Sequence, residues 1–181
     1  MGENPVVGVT TRRCTVYSDE RGYFFETFAK EKCLNSSSAI EYVQDNFSSS
    51  AERVLRGLHY QFRQPQAQLV TVLRGSIFDV TLDVRLGSPT FGHWFGATLE
   101  QGDQIYMPAG VAHGFLVVGV AADLHYRVTE PYRPENEAGI RWNDPDVGIQ
   151  WPFQPLSISK RDAEFPLLAE VEADRLPVFG G

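Results

Sequence analysis

The sequence is poor in the residues that staple or metallate a small protein. Two cysteines, Cys14 and Cys33, among 181 residues are too few for a disulfide framework and lack the spacing of metal ligands, so they read as small thiols in a reducing compartment. Long hydrophobic runs are missing. The longest, Gly114–Ala122, falls far short of the roughly 20 residues that cross a bilayer. The start, Met1-Gly2-Glu3-Asn4-Pro5, carries neither the basic residues nor the apolar core of a signal peptide, and Val6 stands where a myristoylation motif has Ser or Thr. Positive charge is also scarce: Lys+Arg 16 against Asp+Glu 23 gives a net charge of -7. That excludes the broad basic face needed for nucleic acid or anionic membrane, but not a small basic pocket for one phosphorylated ligand. Repeats, low-complexity tracts and linkers are absent too. The expectation is one cytoplasmic domain over residues 1–181 with no nucleic-acid or membrane partner.

What the sequence does hold is period-two alternation. In Ser76–Arg85, Ile77, Asp79, Thr81 and Asp83 share one face, and Phe78, Val80, Leu82 and Val84 the other. Val54–Tyr60, Gln68–Leu73, His93–Leu99 and Ala122–Val128 read as strands, with further strands at Val7–Val16 and Tyr23–Thr27 and a strand-like alternation over Ile40–Gln44. Turn signals separate them at Arg74-Gly75, Gly87-Ser88-Pro89, Gln101-Gly102-Asp103 and Pro108-Ala109-Gly110. Ser36-Ser37-Ser38 and Ser48-Ser49-Ser50 read as loops. Helix is limited to short stretches near Ala29–Leu34 and Phe165–Glu172. Many short strands between turns define an all-β sandwich or barrel of jelly-roll type. The face with Asp79, Thr81 and Asp83 then meets either a polar cavity or, on the outside of the sheet, solvent.

Four histidines are present, His59, His93, His113 and His125, and two have an informative setting. His59 alternates with Gly57 and Gln61 along its strand. His113 ends the spacing G-x5-P-x-G-x2-H from Gly102 through Pro108 and Gly110, which resembles the second signature of the cupin barrels. The first signature of metal cupins supplies two His and a Glu; here His59-Tyr60-Gln61 has one His, and Gln68 stands seven before Gly75. His59, Gln61, Gln68 and His113 make a poor set for a divalent metal, because amides bind weakly where His, carboxylate or thiolate is preferred. No metal is expected, and acid–base work is the natural use of the imidazoles. His93 and His125 read as structural.

An ordered set of segments runs from about Asp19 to Leu168: Asp19-Glu20-Arg21-Gly22-Tyr23-Phe24-Phe25-Glu26, Val43-Gln44-Asp45-Asn46, Val54–Gln61, Pro108–Phe115, Trp142-Asn143-Asp144-Pro145 and Ser159-Lys160-Arg161-Asp162. In that order they resemble the dTDP-4-dehydrorhamnose 3,5-epimerase family of metal-free cupins. The resemblance implies a cupin double-stranded β-helix that needs no cofactor and inverts C3 and/or C5 beside the 4-keto group of a nucleotide-linked 6-deoxyhexose. It implies His59 as base, Asp162 as its partner and Tyr126 as proton donor on the other face. Arg21, Glu26, Gln44, Asp45, Asn46, Arg56, Gln68, His113, Glu137 and Arg161 are implied around the nucleotide-diphosphate sugar, with Asp79 a candidate partner for His113. It also implies a homodimer paired through N-terminal strands at about residues 5–28, so that Arg21 and Glu26 serve the partner's site, and a C-terminal tail over about 165–181. One departure stands out: Gln68 occupies the place of the family's lysine, which donates to the oxygen that becomes negative. Slower chemistry, compensation by Arg63 or His113, or a changed reaction all follow from it. The last includes a single-centre epimerase or keto-sugar isomerase; a non-catalytic sugar-binding cupin stands beside these.

Overall fold

The computed structural model describes residues 5–30 and 40–180. Eleven strands run β1 Thr10–Arg13, β2 Tyr17–Asp19, β3 Gly22–Phe24, β4 Gln44–Ala51, β5 Val54–Gln61, β6 Gln68–Asp83, β7 Trp94–Glu100, β8 Asp103–Met107, β9 Val111–Val128, β10 Glu137–Gly139 and β11 Ser157–Ile158. One short helix, α1 Lys160–Ala163, and 3-10 turns at Pro134–Asn136, Leu168–Glu170 and Ala173–Arg175 complete the described chain. Nine strands form one sheet in the order β1-β8-β6-β9-β5-β10, with β4 on β9, β7 on β6 and β11 on β5; all pairs are antiparallel except β11–β5. β2 and β3 make a separate hairpin. This is the all-β jelly roll expected from the alternation, in the cupin form that the resemblance implies.

Two long strands organise the barrel. β6 joins the two segments that Arg74-Gly75 was expected to separate, and β9 runs on from His113 through Tyr126. Register shifts between Val72 and Arg74 and between Gly75 and Ile77 bend the pair instead of ending it. At Gly75 (φ +84) a Cβ would lie 2.0 Å from the Ala121 carbonyl oxygen, so the close approach of the bend admits only glycine. Three further boundaries differ from expectation. Residues 40–43 precede β4, and Ser48, Ser49 and Ser50 sit inside β4, where pairing to β9 holds a polar stretch extended. The C-terminal helix appears at Lys160–Ala163, with only a 3-10 turn within Phe165–Glu172. Residues 31–34 of the anticipated first helix, Cys33 and Ser36–Ser38 lie outside the described residues.

The two faces of β6 separate two cores. Val70, Val72 and Ile77 pack inside the barrel with Ile105, Met107, Phe115 and Leu124. Val80, Leu82 and Val84 pack outside it with Leu58, Ile140 and Leu176, under the C-terminal segment. The polar face of β6 is therefore not solvated: Asp79 is 1% exposed, and Thr81 and Asp83 are 0%. Asp83 accepts two hydrogen bonds from the Arg85 guanidinium and one each from Ser88 and Thr90. Arg85 also donates to the Val7 carbonyl, tying the N-terminal segment to the barrel.

Candidate active site

The site begins with a glycine. Gly57 has φ +116, and a Cβ there would lie 2.6 Å from Gly114 Cα and 2.7 Å from the His113 carbonyl oxygen, so β5 and β9 come together only without a side chain at this position. That contact brings His59 of β5 opposite His113 of β9. It also frees the Gly57 N–H to donate to Asp162 Oδ2 at 3.1 Å. Asp162 comes from α1, whose N-cap Ser159 accepts from the Asp162 N–H; the cap starts the helix and fixes where the carboxylate stands.

Asp162 Oδ1 lies 2.9 Å from His59 Nε2. With Nε2–H donated to Asp162, Nδ1 carries the free lone pair of a base. The Phe165 ring meets the imidazole edge-on at 5.7 Å between centroids. Burial alone pushes the Asp162 carboxyl up. The hydrogen bond and charge of His59, the Gly57 amide and Ser159 outweigh burial and hold it at about 2. A second imidazole–carboxylate pair lies alongside: His113 Nε2 is 2.7 Å from Asp79 Oδ2, both buried.

Tyr126 on β9 supplies a phenol to the same space. Its hydroxyl is 3.0 Å from Ser48 Oγ on β4, and its ring meets that of His113 at 6.3 Å. Burial pushes the phenol up to about 12; the Asp79 carboxylate adds to the rise, while Ser48 and Arg56 oppose it. His59, His113 and Tyr126 line one cavity of about 290 Å³ with Asn46, Arg56, Gln68, Glu137 and Arg161. Arg56 Nε donates to Ser50 Oγ. At the mouth, Glu137 accepts from Arg161 and from the Tyr132 hydroxyl.

Five of the anticipated residues do not line this cavity. Asp162 stands behind His59 and reaches the cavity only through it. Gln44 stands at the cavity rim, accepting from the Tyr132 N–H and donating to Asn46 Oδ1. Asp45 is turned to the other face of β4, as strand alternation requires with Gln44 and Asn46 facing the cavity. There Arg127 and His125 bind it and hold its carboxyl below the usual range. Arg21 pairs with Asp19 in the exposed β2–β3 hairpin, and Glu26 lines a separate hollow with Arg12, Arg13 and Cys14. The cavity also has residues that the sequence motifs do not mark, Ser48 and Tyr132 among them. Ser48 lies in a serine cluster of loop-like composition, and its two-residue offset from Asn46 is the available signal. Tyr132, beside Pro131, carries none.

A double-stranded β-helix whose cavity holds an imidazole backed by a carboxylate, with a phenol on the adjoining strand, is a cupin with an acid–base site. The chain belongs to the dTDP-4-dehydrorhamnose 3,5-epimerase family, whose model matches residues 3–170. It is 46% identical over 160 residues to the dTDP-4-dehydrorhamnose 3,5-epimerase of Methanothermobacter thermautotrophicus, with 86% of each chain covered. Among solved structures it resembles the dTDP-6-deoxy-D-glucose-3,5-epimerase of Legionella pneumophila in complex with dTDP-4-keto-L-rhamnose. That match has a TM-score of 0.88 and 43% identity, and covers 96% of this chain and 94% of that one. It also resembles ChmJ, a 3'-monoepimerase of Streptomyces bikiniensis in complex with dTDP-quinovose, with a TM-score of 0.83, 34% identity, and 97% and 93% covered.

Proposed function

We propose that this protein is a nucleotide-sugar epimerase that inverts C3 and C5 of a dTDP-4-keto-6-deoxyhexose by deprotonation and reprotonation through an enolate. The observation that carries this reading is the shared cavity: a base held by a buried carboxylate and a phenol stand around one space of about 290 Å³. His59 Nδ1 removes the proton beside the ketone, and Asp162 favours the imidazolium that results. The enolate oxygen is met by His113, held by Asp79, and by the Gln68 amide. Tyr126 then gives its proton to the carbon from the other face. Arg56 and Arg161 take the diphosphate as paired, charge-assisted donors, while Asn46, Gln44 and Glu137 hold the rest of the substrate. Tyr132, pinned by Gln44 and Glu137, offers an aromatic face at the mouth for the base.

The active form is a homodimer in the cytoplasm that works without a cofactor, and Arg21 and Glu26 act in the partner's cavity. Exposed Tyr17, Tyr23 and Phe24 on the N-terminal hairpin and Phe47 on β4 support that assembly, as does β4 pairing only with β9 among the described residues. Gln68 favours a second reading, inversion at one centre only. A neutral amide gives a weaker hydrogen bond to an oxyanion than a cation does, and a lost oxyanion donor costs roughly 2.7–4 kcal/mol in the best-studied case.

Proton NMR of the protein with dTDP-4-keto-6-deoxyglucose in deuterated water separates these readings. Deuterium entering both C3 and C5 with inversion is the expected result, and His59→Ala abolishes it. Exchange at one carbon alone establishes the single-centre enzyme. Binding without exchange at either carbon establishes a non-catalytic cupin and sinks the proposal.

A further inference from the structure

Three neighbouring serines on β4 have three different settings. Ser50 accepts from the Arg56 guanidinium. Ser49 is turned to the outside, beside Asp123. Ser48 reaches the phenol: its Oγ is 3.0 Å from the Tyr126 hydroxyl and is, among the described residues, the hydrogen-bond partner that hydroxyl has. β4 and β9 pair antiparallel with Asn46 opposite Tyr126 and Ser48 opposite Leu124, so Ser48 sits diagonally from the phenol on the cavity side.

A proton donor in this position has a directional problem. A phenol that donates its O–H to a neighbour cannot at the same moment aim that hydrogen at a substrate carbon. Either atom of the Ser48–Tyr126 pair can be the donor. When Ser48 donates to a lone pair of the phenol oxygen, the Tyr126 O–H is left free to point into the cavity.

The same hydrogen bond matters once the proton has gone. The enolate π pair forms the new C–H bond, the O–H pair stays on the phenol oxygen, and Tyr126 becomes a phenolate. The groups around that charge are mixed. Asp79 from β6 repels it, Arg56 from β5 attracts it, and the His113 ring of β9 and His59 of β5 share the cavity. Ser48 from β4 is the neutral donor in direct contact. The cycle closes when His59 releases the proton it took and the phenolate regains one from water.

We propose that Ser48 is a positioning residue for Tyr126: it turns the phenol O–H toward the substrate carbon and donates to the phenolate formed when the proton is delivered. This rests on the epimerase reading above. It predicts an asymmetric defect, because the His59 half of the reaction does not use Ser48.

The test compares wild type, Ser48→Ala and Ser48→Thr with dTDP-4-keto-6-deoxyglucose in deuterated water, scoring inversion and exchange with retention separately. In Ser48→Ala, inversion is expected to slow by about 10- to 100-fold, the range for losing a hydrogen bond to a charged group. Exchange with retention through His59 and the KM stay within about twofold. Ser48→Thr, which keeps the hydroxyl, restores most of the inversion rate. The proposal is overturned if Ser48→Ala leaves inversion unchanged, slows exchange and inversion equally, or is not rescued by Thr. If Ser48→Ala does not fold, Ser48→Cys, a weak donor of similar size, takes its place in the same comparison. Wild-type protein showing neither exchange nor inversion overturns the epimerase reading, and this inference falls with it.

Discussion

Asp162 shows how much one buried carboxylate does in this site. Its oxygens meet His59 and the Gly57 amide, and its own N–H is capped by Ser159; these neighbours outweigh the cost of burying it and hold the carboxyl at about 2. An aspartate in the unfolded chain titrates near about 3.9. Because the folded value lies below the unfolded one, Asp162 stabilises the protein at neutral pH, and that contribution disappears as the pH falls from about 4 through about 2. Asp162→Asn is expected to lower the thermal midpoint at pH 7 and to flatten the acid limb of the stability curve over this window. Differential scanning calorimetry across that range checks it; an unchanged acid limb would show that the pair with His59 does not stabilise the fold.

Among the elements, β5 is the one on which the site depends. It carries Gly57 and His59 two residues apart, lies against β9, and receives the Asp162 carboxylate at its backbone. A methyl group at position 57 meets backbone atoms at 2.6 and 2.7 Å, where no flexible side chain can yield. Strained φ and overpacking together are expected to cost Gly57→Ala about 2–4 kcal/mol. The same displacement should pull His59 away from the cavity. Thermal unfolding and the exchange assay should therefore fail together, whereas Gly148→Ala, at a turn where the nearest atom to an added Cβ is 3.8 Å away, should leave exchange intact despite its positive φ.

At the scale of the whole molecule, the most exposed aromatic rings are unevenly placed. Tyr17, Tyr23, Phe24 and Phe47 are all more than half exposed, and they lie on the hairpin β2–β3 and on β4. Large rings exposed on an edge that no other described strand pairs are covered most simply by a second copy of the chain. Sedimentation analysis is expected to give a dimer, and Phe24→Glu to give a monomer with an unchanged fold by circular dichroism. If Arg21 and Glu26 reach across the interface, that monomer loses epimerisation as well. A fully active Phe24→Glu monomer would remove both residues from the site.

The architecture is legible in the sequence because its cause is local. Alternation along Ser76–Arg85 sorts Val80 and Leu82 from Asp79 and Asp83 whatever the strand packs against, and the turn residues at Gly102 and Pro108–Gly110 interrupt the pattern where the chain reverses. The order of motifs around His59, His113 and Asp162 likewise carried the family, and the fold sets His59 and His113 around one cavity with Asp162 behind His59. Pairing across the sheet was legible at one point, where Asp79 stood as the candidate partner that His113 indeed meets. Only the folded chain could decide that Asp83 meets Arg85, that Asp45 turns away from a cavity its neighbours face, and that a run of serines continues β4 to reach a phenol 78 positions on. Alternation is set by the two-residue repeat of an extended backbone, but partners are set by register between strands distant in sequence, and register is a property of the closed barrel.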